Sequence, residues 1–361
     1  MTRVRKGLVA GVVFGLCAGG MIVWLRALPA RSWEQARPAL PPPSGARAPG
    51  LDARLEACAG RFAVYPPDES ALEEFARVCH ASVQLDAALA GYAALARLQP
   101  RDGRWPYFMA VIHAGFGRLQ EATPLFRRST ELAPDHVPGW LRLGTARLKA
   151  DDLAGAMAAY EEALRRAADD PHALLGLARC ALREERWTAA RGLLQRAVAA
   201  DPRLAPALHL LATVHERLGN REAASAVLAR ADAGAMEVEP PDPWLDDLYQ
   251  YGHDIYRLRV AASAALAGGD SERALAACER ALQLAPHDAR VHWQFGQIHL
   301  SAGRIEPARK HLEEAVALDP DDDRAQIDLI GILQQLGETA AAAERRAAFE
   351  RRFGATPAIQ P

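Results

Sequence analysis

A spacing of 34 residues recurs through most of this 361-residue chain and narrows what it can fold into. Proline falls at Pro100, Pro134 and Pro202, then at Pro286 and Pro320, with intervals of 34 and 68 in the first group and 34 in the second. With proline set as position 32 of a unit, position 20 is Ala88, Ala122, Ala156, Ala190, Ala224, Ala274, Ala308 and Ala342. Alanine accounts for 76 of the 361 residues. At that background, eight matches in one fixed register have a chance probability on the order of a few in a million. Position 8 is also small, at Ala76, Ala110, Gly144, Ala178, Ala212, Ala262 and Gly296, until the pattern gives way at Ile330. Small residues are needed where two helices approach closely, because a larger side chain there pushes the axes apart or forces strained rotamers. The period therefore encodes a helical hairpin.

Composition agrees with an all-α array. Aromatic residues are only 6% of the chain, which argues against a sheet-centred enzyme. The formal charge is −2, so the net basicity expected of a general nucleic-acid binder is missing, and all the basic residues except Lys6, Lys149 and Lys310 are arginine. The 5 cysteines form no C-x-x-C pair, which leaves neither a zinc-site spacing nor a haem-attachment motif. The sequence contains no G-x-S-x-G, P-loop, H-E-x-x-H or G-x-G-x-x-G motif, and the repeats leave no stretch long enough for a catalytic domain. The expectation is a non-enzymatic protein without a cofactor.

The first 26 residues read as a membrane anchor. Between Lys6 and Arg26 lie nineteen uncharged residues, Gly7 to Leu25, which as a helix would span roughly 28 Å, the thickness of a bilayer's hydrocarbon core. The run is longer than the apolar part of a secretory leader, and Leu28-Pro29-Ala30 is a poor cleavage match. Arg3, Arg5 and Lys6 before the span tilt the orientation toward a cytoplasmic N-terminus, with the remainder periplasmic or extracytoplasmic. A cytoplasmic-facing form, or a cleaved and secreted one, is the alternative. Residues 27–50 hold Pro29, Pro38, Pro41, Pro42, Pro43 and Pro49 and read as a flexible spacer.

The third unit, with Trp140, Leu143, Gly144, Ala156, Tyr160 and Ala163, resembles a tetratricopeptide (TPR) repeat. The resemblance covers about Glu69 to Pro361, in eight units beginning at Glu69, Gly103, Val137, Pro171, Ala205, Ile255, Ala289 and Asp323; the family's helix-ending proline is missing at Ala168 and Met236. It implies a right-handed superhelical solenoid of about eight helix-turn-helix repeats. The divisions are a partial capping repeat at 51–68, repeats 1–5 at 69–238, an insertion at 239–254, and repeats 6–8 with a C-terminal cap at 255–361.

In the TPR family, peptide ligands contact first-helix positions 2, 5, 6, 9, 12 and 13 on the concave face. The resemblance carries this onto Arg142, Lys149, His172, Arg179, Arg183, His209 and Arg217, a basic stripe opposed mainly by Glu216. Farther along it gives Tyr256, Arg259, Arg290 and Trp293, with Gln297 beside them. Such a stripe suits an acidic or carboxylate-terminated protein or peptide segment, which arginine binds through forked, charge-assisted hydrogen bonds. The plain alternative is a solvated charged face. The family's carboxylate clamp uses asparagine at positions 6 and 9, where this chain has Arg142 and Thr145, or Gly176 and Arg179, so chaperone-type capture of a C-terminal peptide is disfavoured. The functional expectation is a membrane-anchored scaffold or assembly factor with the lipid bilayer and a protein segment as partners. The alternative is a structural module that docks in one envelope complex or self-associates.

Two irregularities stand outside the period. Cys58 at position 24 of the partial unit and Cys79 at position 11 of the next can face one another between helices, so an oxidising compartment would favour a Cys58–Cys79 disulfide; two separate buried thiols are the alternative. Ala224 and Ala274 are 50 residues apart, one period plus sixteen, which marks Glu239 to Asp254 as inserted. The insertion holds Trp244, Tyr249, Tyr251 and several aspartates, and it reads as a packing element or as a partner-binding loop beside the groove. Its carboxylates and His253 lack a recognisable metal-ligand spacing.

Overall fold

Short polar residues start the helices and left-handed residues bend them, which cuts the chain into antiparallel pairs. The computed structural model describes residues 32–42, 50–232 and 240–354; it is 78% helical and contains no strand among the described residues. Helix α1 (Leu51–Phe62) precedes five hairpins: α2 (Glu69–Ala81) with α3 (Leu85–Leu98), α4 (Arg104–Gly115) with α5 (Leu119–Leu132), α6 (Val137–Lys149) with α7 (Leu153–Arg166), α8 (Pro171–Arg183) with α9 (Trp187–Ala200), and α10 (Ala205–Arg217) with α11 (Arg221–Asp232). After the short α12 (Pro243–Asp246) and a 3-10 turn (Asp247–Tyr251) come α13 (Ile255–Ala267) with α14 (Ser271–Leu284), α15 (Ala289–Ser301) with α16 (Ile305–Leu318), and α17 (Asp323–Gln335) with α18 (Thr339–Phe353).

Aspartate caps recur at first-helix starts. Asp68, Asp170, Asp254, Asp288 and Asp322 each accept a backbone N–H of the first turn, satisfying one donor that the helix leaves unpaired. Between paired helices the chain passes through positive φ, supplied by glycine at Gly117, Gly219, Gly269, Gly303 and Gly337. Val83, Asp151 and Glu185 take the same place in the other three hairpins, at φ of 60°, 63° and 56°.

All eight position-20 alanines are buried, six of them at 0% exposure and Ala224 and Ala342 at 2% and 3%. They lie on second helices, which pack against the first helices that carry the small position-8 residues. Where position 8 is glycine, the second helix fills the space with a larger side chain. A Cβ on Gly144 would lie 2.7 Å from the Tyr160 ring, and one on Gly296 would lie 2.7 Å from Leu312. Tyr160 also projects against the following repeat, where a Cβ on Gly176 would meet its ring at 2.4 Å. One tyrosine thus sets the approach of α6, α7 and α8.

Successive hairpins pack on one another from α2 to α11 and again from α13 to α18. The bridge between these two blocks is the segment from Asp242 to Asp254, whose 3-10 turn packs on α2 and on α14. The N-terminal block has the most aromatic core, with Phe62, Phe75, Tyr92, Trp105, Tyr107 and Phe108 all at 1% exposure or less.

Two expectations change here. Residues 32–42 of the proline-rich stretch are not a free spacer: residues 32–36 form a helical turn, and Trp33 is buried with its indole N–H donating to the Phe62 carbonyl at 2.9 Å. A large apolar ring with a satisfied polar edge fastens this segment, helped by Arg37 donating to the Ala63 carbonyl and Arg97 donating to the Ala36 carbonyl. The Cys58–Cys79 disulfide is not formed, and both are buried thiols of the N-terminal core. Burial, reinforced by Glu74, pushes the Cys58 thiol up to about 11. The apolar run Gly7–Leu25 lies outside the described residues, and no described helix is long and apolar enough to cross a membrane.

Two outcomes follow from this packing. Gly176→Ala should destabilise the protein by about 1–3 kcal/mol, the usual cost of overpacking, as measured by chemical denaturation. Combining it with Tyr160→Leu should recover part of the loss, because the clash is with the ring. The second outcome concerns His80, whose ring meets Tyr92 and Phe108 edge-on and whose Nδ1 lies 3.1 Å from the Tyr92 hydroxyl. Burial pushes this imidazole down from 6.5 to about 4. The unfolded chain therefore takes up a proton that the folded chain refuses as pH falls from about 6.5 to about 4, and stability drops through that window. The thermal midpoint should fall over that range, and less steeply in His80→Gln.

Candidate functional site

The inserted segment lies across the first helices of repeats 1–3 and forms a strap over their inner face. Asp242 is 1% exposed. Its Oδ1 caps α12 by accepting the Leu245 N–H, while its Oδ2 accepts the Tyr107 hydroxyl in a short hydrogen bond and faces Arg142 Nε at 3.3 Å. Arg142 Nε also donates to the Tyr107 oxygen at 2.8 Å, which closes a three-membered network across α4, α6 and the strap. Trp244 stacks on the His136 ring with centroids 3.6 Å apart and planes 9° apart, and stands edge-on to Tyr107 at 5.2 Å. Burial, with Arg142 adding to it against Asp242, pushes His136 down to about 4, so the ring under the indole is neutral near pH 7. Burial likewise raises the Tyr107 phenol above its ordinary range.

Farther along the strap, Asp247 pairs with Arg77, an arginine only 5% exposed that also contacts Glu73 at 2.6 Å. Tyr251 lies 5.3 Å under the same guanidinium, and Leu248 joins the N-terminal core. The opposite side is held by α14. Arg273 meets Asp246 at 2.8 Å and donates to the Tyr249 hydroxyl at 3.0 Å, and Arg280 donates to the Gly252 carbonyl at 2.8 Å. Among the described residues, no group of three or more His, Cys, Asp or Glu side chains is placed to hold a metal ion.

Beyond the strap the inner face is open. A cavity of about 400 Å³ is lined by Arg142, Lys149, Tyr160, His172 and Arg179, with Pro240 of the strap at its edge. Lys149 and Arg179 are exposed, and neither forms an ion pair among the described residues. Burial lowers His172, so its ring adds hydrogen-bonding capacity more than charge.

The sequence-derived residues therefore separate. Arg142, Lys149 and Arg179 share one cavity, but Arg142 is already engaged by Asp242. Arg183 turns to Asp151 at 3.2 Å in an exposed pair, Arg217 lies 5.6 Å over the Trp187 ring, and His209 is exposed. In the second block Tyr256 is 72% exposed and Arg290 is exposed, while Arg259 is half-buried. Trp293 is committed to the fold, since its indole N–H donates to Asp328 at 2.7 Å and Arg324 lies 4.6 Å over its ring. Tyr107, His136 and Arg77 were absent from the sequence-derived set. A partial signal is charge complementarity, because the insertion carries Asp242, Asp246, Asp247 and Asp254 while the first helices of repeats 1 and 3 carry Arg77 and Arg142; it gives no hint of Tyr107 or His136.

Models of the tetratricopeptide repeat match residues 83–137, 141–205 and 265–326, together about half of the chain. Among solved structures, MamA 41-end from Desulfovibrio magneticus RS-1 is 21% identical, with 46% of this chain and 93% of that one covered and a TM-score of 0.43. A tetratricopeptide repeat protein from Parabacteroides merdae ATCC 43184 is 15% identical over 73% of this chain and 98% of that one, with a TM-score of 0.42. YrrB, described as a TPR protein with an unusual peptide-binding site, is 18% identical over 55% of this chain and 95% of that one, with a TM-score of 0.29. A comparison with curated proteins found no match. The family assignment rests on the repeat matches and on the helical pairs in which they fall: the chain belongs to the tetratricopeptide repeat proteins.

Proposed function

We propose that the protein is a scaffold that holds an acidic protein or peptide segment in the open groove of repeats 3 and 4. TPR arrays act as protein-interaction scaffolds, and the acidic preference is supported by one observation. Lys149 and Arg179 face a cavity of about 400 Å³ without carboxylate partners among the described residues. A cation that is not neutralised within its own fold raises the local concentration of anionic ligands, and arginine adds forked hydrogen bonds to a carboxylate. His172 and the Thr145 and Tyr160 hydroxyls, which lie 3.1 Å apart, add neutral hydrogen-bonding groups along the same wall. Nothing in this groove resembles a nucleophile activated by a neighbouring base, so binding is the function it supports.

In this reading the apolar run Gly7–Leu25 tethers the scaffold to a membrane, so that the groove serves partners near the bilayer. Fractionating cells that carry the full chain, beside cells that carry the chain from Ala27 onward, tests the tether: the full chain should sediment with membranes and the shortened one should not.

Binding is tested by fluorescence anisotropy with a labelled glutamate- and aspartate-rich peptide. The native protein should bind it with a Kd that rises with salt, and Lys149→Glu with Arg179→Glu should weaken binding at least tenfold, about 1.4 kcal/mol. An unchanged titration would exclude this groove as the acidic-segment site.

A further inference from the structure

The strap is attached to the early repeats in the manner of a ligand. No backbone–backbone hydrogen bond joins residues 240–254 to α2–α11 among the described residues; the attachment is made by side chains. Its densest part is Asp242 and Trp244, two residues apart, which enter a pocket made by Tyr107 of α4, His136 in the turn before α6, and Arg142 of α6. The repeats build this pocket by themselves, since all three residues belong to the array and none to the insertion. Its parts are those of an interaction hot spot: a buried tyrosine, an arginine, and a flat neutral ring that accepts an indole face. It also continues into the open groove, because Arg142 and Pro240 line the cavity that holds Lys149 and Arg179.

We propose that the Tyr107–His136–Arg142 pocket is a recognition site for segments carrying an aspartate two residues ahead of a tryptophan, which Asp242 and Trp244 fill in cis until a partner segment of the same chemistry displaces them. The chemistry of the present occupant defines that of the partner. Arg142 and the Tyr107 hydroxyl both donate toward one carboxylate oxygen, so a carboxylate at the Asp242 place accepts from both at once and an uncharged side chain there does not. His136 offers its whole face, so a ring is needed at the Trp244 place to cover it. The site adjoins the Lys149 and Arg179 groove through Arg142, but its test rests on Tyr107, His136 and the Asp242 and Trp244 places and not on whether that groove binds an acidic peptide.

The test uses the full chain and a labelled synthetic peptide of residues 240–251 added in trans. The native protein, whose pocket is filled, should bind it weakly. Asp242→Asn with Trp244→Ala should release the strap and raise affinity for the peptide at least tenfold. The added substitution Arg142→Gln should abolish the gain, as should a peptide carrying the same two changes. Asp242→Asn alone keeps a side-chain oxygen to cap the Leu245 N–H, so it supplies the same readout if the double variant does not fold. Variants that retain helical content and a cooperative melt yet bind the peptide no better than the native chain would show that the strap is only a structural link.

Discussion

The array depends on a contact one methyl group deep. Paired α-helices settle at about 8–10 Å only when the residues between them are small, and here position 8 of the first helix and position 20 of the second supply that thinness in nearly every unit. The seam is not uniform. Gly144 faces the Tyr160 ring and Gly296 faces Leu312, so a missing side chain on one helix is filled by a larger one from the other. Ile330 breaks the rule only in the last unit, where it is buried in the α17–α18 hairpin and no described repeat follows. Close packing of this kind resists deformation, so the inner face keeps a fixed geometry on which side chains can be arranged for recognition.

The insertion changes what that rigid surface offers. A plain solenoid would continue the stack from α11 to α13. Here the chain instead passes through the strap, leaving Tyr256 and Val260 of α13 at 72% and 50% exposure and Leu228 of α11 at 36%. The connection gained is chemically rich, with Asp242 and Asp247 meeting arginines of the first block while Arg273 and Arg280 of α14 hold the other side. Arg77 shows the constraint most clearly. A guanidinium only 5% exposed needs nearby carboxylates, and it has Glu73 from its own helix and Asp247 from 170 residues away.

Much of this was legible in the sequence, and for a local reason. A hairpin is specified by residues within 34 positions of one another, so alanine at position 20, glycine at the bends and aspartate at the caps reveal it without knowledge of the rest. The left-handed bends at Val83, Asp151 and Glu185 were hidden, because side chains there are disfavoured and only the force of the surrounding packing imposes them. Trp33 was hidden by its proline-rich setting, which marks an extended chain but does not exclude one anchoring ring. The Tyr107–Asp242 contact spans 135 residues, and periodicity is silent about pairing across such a separation. The groove residues were legible as positions and not as states: sequence identified Arg142 and Lys149 as equivalent members of one stripe, whereas Asp242 has already claimed the first.

That difference organises the whole inner face. Along repeats 1–3, Arg77 and Arg142 are matched by strap carboxylates and Arg104 by Asp102 and Glu73, so their field is spent within the molecule. Past Pro240, Lys149 and Arg179 have no such match among the described residues, and the unneutralised part of the face begins where the strap ends. Arg142 sits at the junction, lining the open cavity while bound to Asp242. An anion settling beside Lys149 and Arg179 approaches the same guanidinium that Asp242 holds. If the groove takes an acidic segment as proposed, the two stretches of the inner face meet at this one side chain, and electrostatics sets the sign: the acidic occupant and a docked Asp242 oppose each other, by an amount that falls as salt screens them.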